Sequence, residues 1–241
     1  MKTFTKSAIA TALIMGSSAA MAEVSGNVAL ASDYLFRGIT QTDHQLAIQG
    51  GFDYGHESGI YAGIWASNID PTFFGGMSDP QTEVDLYIGY AGEMANGVSY
   101  DLGVLSYNYP GMGTADTTEL YASVGFAATE TVSLSAGFAY SSELSFVGST
   151  ESAYYVDLGA EIALPEGFTM AAHVGFSDGD AYDPAKATGL ASDYTDYSIG
   201  ISKDFQGVGI DLTYIDTSDG DTAFGTIAND GTLVLTLSKS F

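Results

Sequence analysis

The sequence predicts an all-β fold, an antiparallel up-and-down transmembrane β-barrel of about 12 strands. Three observations predict it. From residue 23 onward, apolar and polar residues alternate almost throughout. The connections between alternating segments are short and long by turns. The chain ends in Phe241, on a stretch with apolar residues at every second position.

Composition narrows the class. With 6 Lys+Arg against 30 Asp+Glu, the formal net charge is -24. Nucleic acid is excluded as a partner, because phosphate recognition needs clustered bases. No cysteine is present, so there is no disulfide framework, thiolate metal site or cysteine nucleophile. Charged residues are 15%, below an ordinary soluble domain, yet 46% are hydrophobic, too many for a disordered acidic tail. Thirty glycines and 16 tyrosines beside so few bases suit a membrane barrel or a secreted β-protein.

Residues 1–22 read as a signal peptide. Lys2 and Lys6 form the basic start, residues 8–20 are apolar and small, and Ala20-Met21-Ala22 is an Ala-x-Ala cleavage pattern. Cleavage leaves residues 23–241 as the barrel. No later apolar run is long enough for a membrane helix. Any crossing must use strands, since only helices and closed barrels satisfy every backbone group in lipid.

The first strand sets Val24, Gly26, Val28, Leu30, Tyr34 and Phe36 outward against Ser25, Asn27, Ala29, Asp33 and Arg37. The second sets Leu46, Ile48, Phe52 and Tyr54 against Gln49 and Asp53. The third, over 59–69, is ambiguous: Tyr61 and Trp65 share one face, Ile60 and Ile64 the other. The Ile face goes to lipid, because the flanking strands keep even numbers outward. Outward faces then follow at Val84–Tyr90, Val98–Val104, Leu120–Phe126, Val132–Tyr140, Tyr154–Ile162 and Phe168–Phe176, still on even numbers. The phase shifts once. Tyr197, Ile199 and Ile201 are outward on odd numbers, and the last two strands present Ile210, Leu212 and Tyr214, then Leu233, Leu235 and Leu237.

Short connections fall at 55–58, 91–97, 127–131, 165–167 and 206–207. Long ones fall at 38–44, 70–80, 108–117, 142–152, 178–192 and 216–230. An outer-membrane barrel has short periplasmic turns, longer outer loops and an even strand number. Five short and six long connections fit 12 strands with both termini periplasmic. The terminal strand ending at Phe241 is the expected signal to the barrel-assembly machinery, although Lys239 stands where an aromatic residue is more usual.

Three segments carry a family resemblance. They are Asp33-Tyr34-Leu35-Phe36-Arg37-Gly38-Ile39-Thr40-Gln41, Gln49-Gly50-Gly51-Phe52-Asp53-Tyr54 and Gly63-Ile64-Trp65-Ala66-Ser67-Asn68. They resemble the proteobacterial TorF family of porin-like proteins, also known by the domain label Gcw_chp. The resemblance spans the chain after the signal peptide. It implies an outer-membrane, porin-like protein and supplies no catalytic residues.

Alternation places Asp33, Asp53, Glu83, Asp85, Asp101, Glu119, Asp157, Glu161, Asp196, Asp204 and Asp211 inward, against Arg37 and His173. Acidic linings concentrate and select cations, although carboxylates also serve simply to keep a lumen wet. Tyr61, Trp65, Tyr87, Tyr107, Tyr121 and Tyr155 face inward too. Beside carboxylates such rings attract organic cations and amines, or else fill a narrow lumen. Arg37, the sole arginine, is expected inward at the outer end of strand one, either pairing with neighbouring acids or lining a constriction. Tyr34, Tyr54, Tyr90, Tyr100, Tyr140, Tyr154 and Tyr214 read as an interfacial girdle.

These residues point to passive diffusion of small hydrophilic solutes, cations preferred, with no cofactor. Expected surroundings are outer-membrane lipids and lipopolysaccharide. The alternative is a plugged structural or surface-interaction barrel. A soluble β-sandwich would need neither outward belts nor the terminal Phe. An enzyme is disfavoured, because the sequence holds no GxSxG, HExxH or P-loop pattern. The acidic groups Asp178, Asp180, Asp183 and Asp216, Asp219, Asp221 fit no full EF-hand spacing.

Overall fold

The computed structural model describes residues 23–71, 81–183, 193–218 and 231–241. The signal-peptide reading, Asp219 and Asp221 lie outside these residues.

Twelve strands close into one antiparallel barrel. They are β1 (Glu23–Ala31), β4 (Ala47–Gly55), β5 (Ile60–Asn68), β6 (Thr82–Glu93), β7 (Ser99–Asn108), β8 (Thr117–Ala127), β9 (Val132–Ser141), β10 (Ala153–Ala163), β11 (Phe168–Asp178), β12 (Tyr194–Phe205), β13 (Val208–Ser218) and β14 (Thr232–Ser240). Each pairs with its sequence neighbours, and β1 also pairs with β14, Asn27 opposite Ser240 and Ala31 opposite Thr236. Beyond that ladder, Gly26 and Phe241 exchange backbone hydrogen bonds of 2.8 and 3.0 Å, so the terminal residue helps seal the seam. Closure leaves no unpaired edge, the condition for strands to sit in hydrocarbon.

The outer face is apolar. Ile48, Phe52, Leu86, Leu120, Ile199 and Leu235 are 44–60% exposed. This is the inverse of a sandwich, whose apolar face would be buried, and it matches a lipid-facing surface. Strands of 9–12 residues are long enough to span it. On β5 the exposed apolar residues are Ile60 and Ile64, while Tyr61 is buried. The outward parity changes three times rather than once: between β11 and β12, where Phe176 and Tyr197 are each 41% exposed, again at Ile210 on β13, and again at Leu233 on β14.

The first strand differs from expectation. It ends at Ala31, and the chain then turns into the barrel mouth. Leu35–Phe36 (β2) and Ile39–Thr40 (β3) pair as a separate two-stranded hairpin. Its tip is Arg37-Gly38, with φ of 49° and 80°. Two positive φ values are what a two-residue type I′ turn requires, and glycine meets the second without strain. Tyr34 and Phe36 are therefore not lipid-facing. Tyr34 is 5% exposed and Phe36 packs inside the mouth. The even-numbered alternation runs on into residues that no longer belong to the wall.

The buried apolar core sits at this long-loop rim. Leu35 and Ile39 of the hairpin join Tyr107, Tyr109, Leu144, Phe146, Tyr182 and Tyr194. Short 3₁₀ turns at Ser145–Val147 and Asp180–Tyr182 deliver Phe146 and Tyr182 inward. Aromatic edges lock the cluster: Phe36 meets Tyr107 at 5.4 Å and Phe146 at 5.9 Å between centroids.

Candidate functional site

The site is the barrel interior at the long-loop rim, where the hairpin meets the wall. Asp33, 3% exposed, clamps the hairpin's base. Its Oδ1 accepts from Thr40 Oγ1 at 2.6 Å and Thr42 Oγ1 at 2.9 Å, and its Oδ2 lies 2.8 Å from His44 Nδ1. These groups fold residues 33–44 back on themselves before any contact with the opposite wall.

The contacts to the wall are charged and aromatic. Arg37 Nη1 and Nη2 donate to Glu119 Oε1 and Oε2 at 2.9 and 2.8 Å. Glu119 lies on β8, and Tyr107 on β7 also donates to it at 3.0 Å. The guanidinium carbon lies 4.2 Å from the Tyr155 ring centroid on β10 and 4.7 Å from that of Phe36. Gly38 abuts Asp196 and Thr217 of β12 and β13. Arg37 is thus a residue of the inserted hairpin, not of the β1 wall as alternation suggests.

Glu83 on β6 accepts from Tyr34 and Tyr109, each at 2.7 Å. Both phenols belong to loops. Burial, then the Glu83 charge, raises each well above its ordinary value, so both remain donors. Trp65 packs edge-on against Tyr34 at 5.5 Å. Asp85, beside Glu83 on β6, is buried, and its Oδ1 has no hydrogen-bond partner among the described residues.

Behind the Arg37 ring partner lies a second network. Tyr155 donates to Asp196 at 3.0 Å, and His173 Nε2 lies 2.9 Å from both Tyr155 Oη and Asp196 Oδ1. Asp157 is half-buried opposite Gly137 in the β9–β10 register.

A third group lies on β4–β8. Tyr87 donates to Asp53, and Tyr61 donates to Asp101 at 2.6 Å while meeting Tyr121 through their hydroxyls. Tyr61 lies over Gly89, and Tyr87 over Gly63, its register partner, where any Cβ would collide with the ring. Asp211 stands apart from these groups. Asp211 on β13 accepts from Thr213 at 2.7 Å, and Glu161 is exposed. No cluster of three or more metal-ligand side chains occurs among the described residues.

Residues 34–36, 39, 109, 146, 182 and 194 complete the site, and alternation does not find them. The usable signal was local: Leu35-Phe36 and Ile39-Thr40 are paired runs flanking an x-Gly step, a hairpin pattern rather than a strand.

A closed barrel, apolar outside and acidic within, with a folded segment in its mouth, defines a porin-like architecture. The chain belongs to the Gcw_chp family, described as a bacterial protein of unknown function, whose family model matches residues 16–241. No curated protein matches the sequence. Among solved structures, the KdgM porin aligns at TM-score 0.60 and 8% identity, covering 90% of this chain and 99% of its own. The NanC porin aligns at 0.57 and 11% identity, covering 90% and 98%. The COG4313 outer membrane channel from Pseudomonas putida F1 aligns at 0.56 and 12% identity, covering 93% and 97%. At such identities the likeness is one of fold. The TorF name rests on the motif resemblance alone.

Proposed function

We propose that this protein is an outer-membrane channel for passive diffusion of small hydrophilic solutes, cations preferred, whose outer mouth is narrowed by the Arg37 hairpin. The observation that carries the reading is the charge of the barrel interior. Asp53, Asp85, Asp101, Asp157, Glu161, Asp196 and Asp211 join Glu83 and Glu119, which accept from Tyr34 and Arg37, while Arg37 is committed to Glu119. A field of one sign in a low-dielectric wall accumulates counter-ions.

The porin fold of KdgM, NanC and COG4313 supports the class. One KdgM porin was solved in complex with disordered oligogalacturonate. That ligand class does not carry over, because a polyuronate is anionic and this interior is acidic. Export by the residue 1–22 signal, insertion by the assembly machinery through Phe241, and contact with lipopolysaccharide belong to the same proposal. No enzymatic role is assigned.

A second reading is favoured by the apolar core in the mouth: a plugged barrel with a structural or surface role. Planar-bilayer recording of refolded residues 23–241 under a KCl gradient separates them. Steady steps with a cation-selective reversal potential support the channel. Silence from protein shown to be folded favours the plugged barrel.

A further inference from the structure

The wall that holds Arg37 has the composition of a binding site for an organic cation. Glu119 presents both carboxylate oxygens to one planar group, the geometry that selects a guanidinium. The Tyr107 hydroxyl donates to Glu119 Oε2 and so fixes the carboxylate. The Tyr155 ring supplies a face at 4.2 Å, and Asp196 orients that tyrosine through its hydroxyl. All four residues belong to barrel strands β7, β8, β10 and β12. The guanidinium comes instead from a two-residue turn on a hairpin that pairs with no barrel strand.

We propose that Glu119, Tyr107 and Tyr155 form a lumen site for guanidinium-bearing solutes, and that Arg37 occupies it as a built-in pseudo-ligand. The hairpin then excludes solute from the site it fills, and a solute of matching chemistry competes with Arg37 for Glu119. The inference deepens the channel reading, on which the solute's route rests. Binding itself requires only that the wall remain folded. Lysine-like ammonium solutes fit less well, because one point charge cannot engage both carboxylate oxygens in parallel.

The test uses the refolded barrel in detergent and the probe ethylguanidinium. Binding is followed by titration calorimetry, and folding by heat-modifiable gel migration. Arg37→Ala should bind ethylguanidinium at least tenfold more tightly than the wild type, and more tightly than ethylammonium. Arg37→Ala combined with Glu119→Gln should lose at least tenfold of that affinity. Arg37→Gln, which keeps part of the packed stem, replaces the alanine variant if the latter does not fold. Equal affinity in the wild type and the vacated variants would overturn the proposal, as would binding indifferent to Glu119. Bilayer current is read separately. Binding without current in any variant keeps the site and removes the channel, whereas current without ethylguanidinium binding keeps the channel and removes the site.

Discussion

Arg37 and Glu119, 82 residues apart in sequence, form a two-pronged ion pair of 2.9 and 2.8 Å that ties an inserted hairpin to the barrel wall. Their side chains are 10% and 4% exposed. Removing one partner leaves a buried charge unmatched, at a cost of about 3 kcal/mol. Arg37→Ala is therefore expected to free the hairpin without unfolding the barrel. Amide hydrogen exchange over residues 34–42 should rise at least tenfold, with exchange in β4–β14 unchanged. Unchanged exchange over 34–42 would show that the aromatic packing alone holds the hairpin.

Gly38 makes the same point sterically. Its φ is +80°, and a Cβ would press into Thr217 and Asp196. Gly38→Val combines a left-handed penalty of about 1–2 kcal/mol with that collision. Arg37 is the sole arginine of the chain, so an arginine-specific protease reports directly on its exposure. Wild-type protein should resist cleavage after Arg37, and Gly38→Val should be cut there.

The base of the hairpin has its own prediction. Asp33 gathers Thr40, Thr42 and His44. Asp33→Ala strips three polar groups of their shared acceptor, at about 1–3 kcal/mol. The variant should keep the heat-modifiable migration of a folded barrel yet become sensitive to cleavage after Arg37. Resistance equal to wild type would place the anchor wholly at the tip.

Much of this was legible in the sequence, for a physical reason. A strand with one face to lipid and one to a polar interior must alternate, so Ile48, Phe52, Leu86 and Leu235 announce their side of the wall. The phase shift before Tyr197 was readable the same way. The hairpin was not. Tyr34 and Phe36 keep the parity of Val24–Leu30 while leaving the strand, and parity says nothing about where a chain stops being wall. What decides is non-local: a bidentate contact to Glu119 and rings on β7 and β10. The first of the three segments that carry the family resemblance, Asp33 to Gln41, holds this hairpin and the Asp33–Thr40 part of its clamp.

Cation preference should depend on acids that the hairpin does not use. Among the described residues neither Asp53 nor Asp157 hydrogen-bonds to the hairpin, and Asp53 accepts instead from Tyr87. The double change Asp53→Asn, Asp157→Asn should lower the reversal potential in a KCl gradient while unit conductance remains measurable. An unaltered potential would mean that selectivity is set elsewhere along the interior.

Single-channel conductance of the wild-type protein, compared with a variant whose residues 34–42 are replaced by a Gly-Ser linker of equal length, tests most directly whether the hairpin narrows the passage. The linker lacks Arg37, Tyr34 and the aromatic contacts, so it has nothing to hold it in the mouth. Conductance is expected to be several-fold higher in the variant, with cation selectivity retained by the wall carboxylates. Equal conductance in the two folded proteins would contradict the claim that this hairpin narrows the passage.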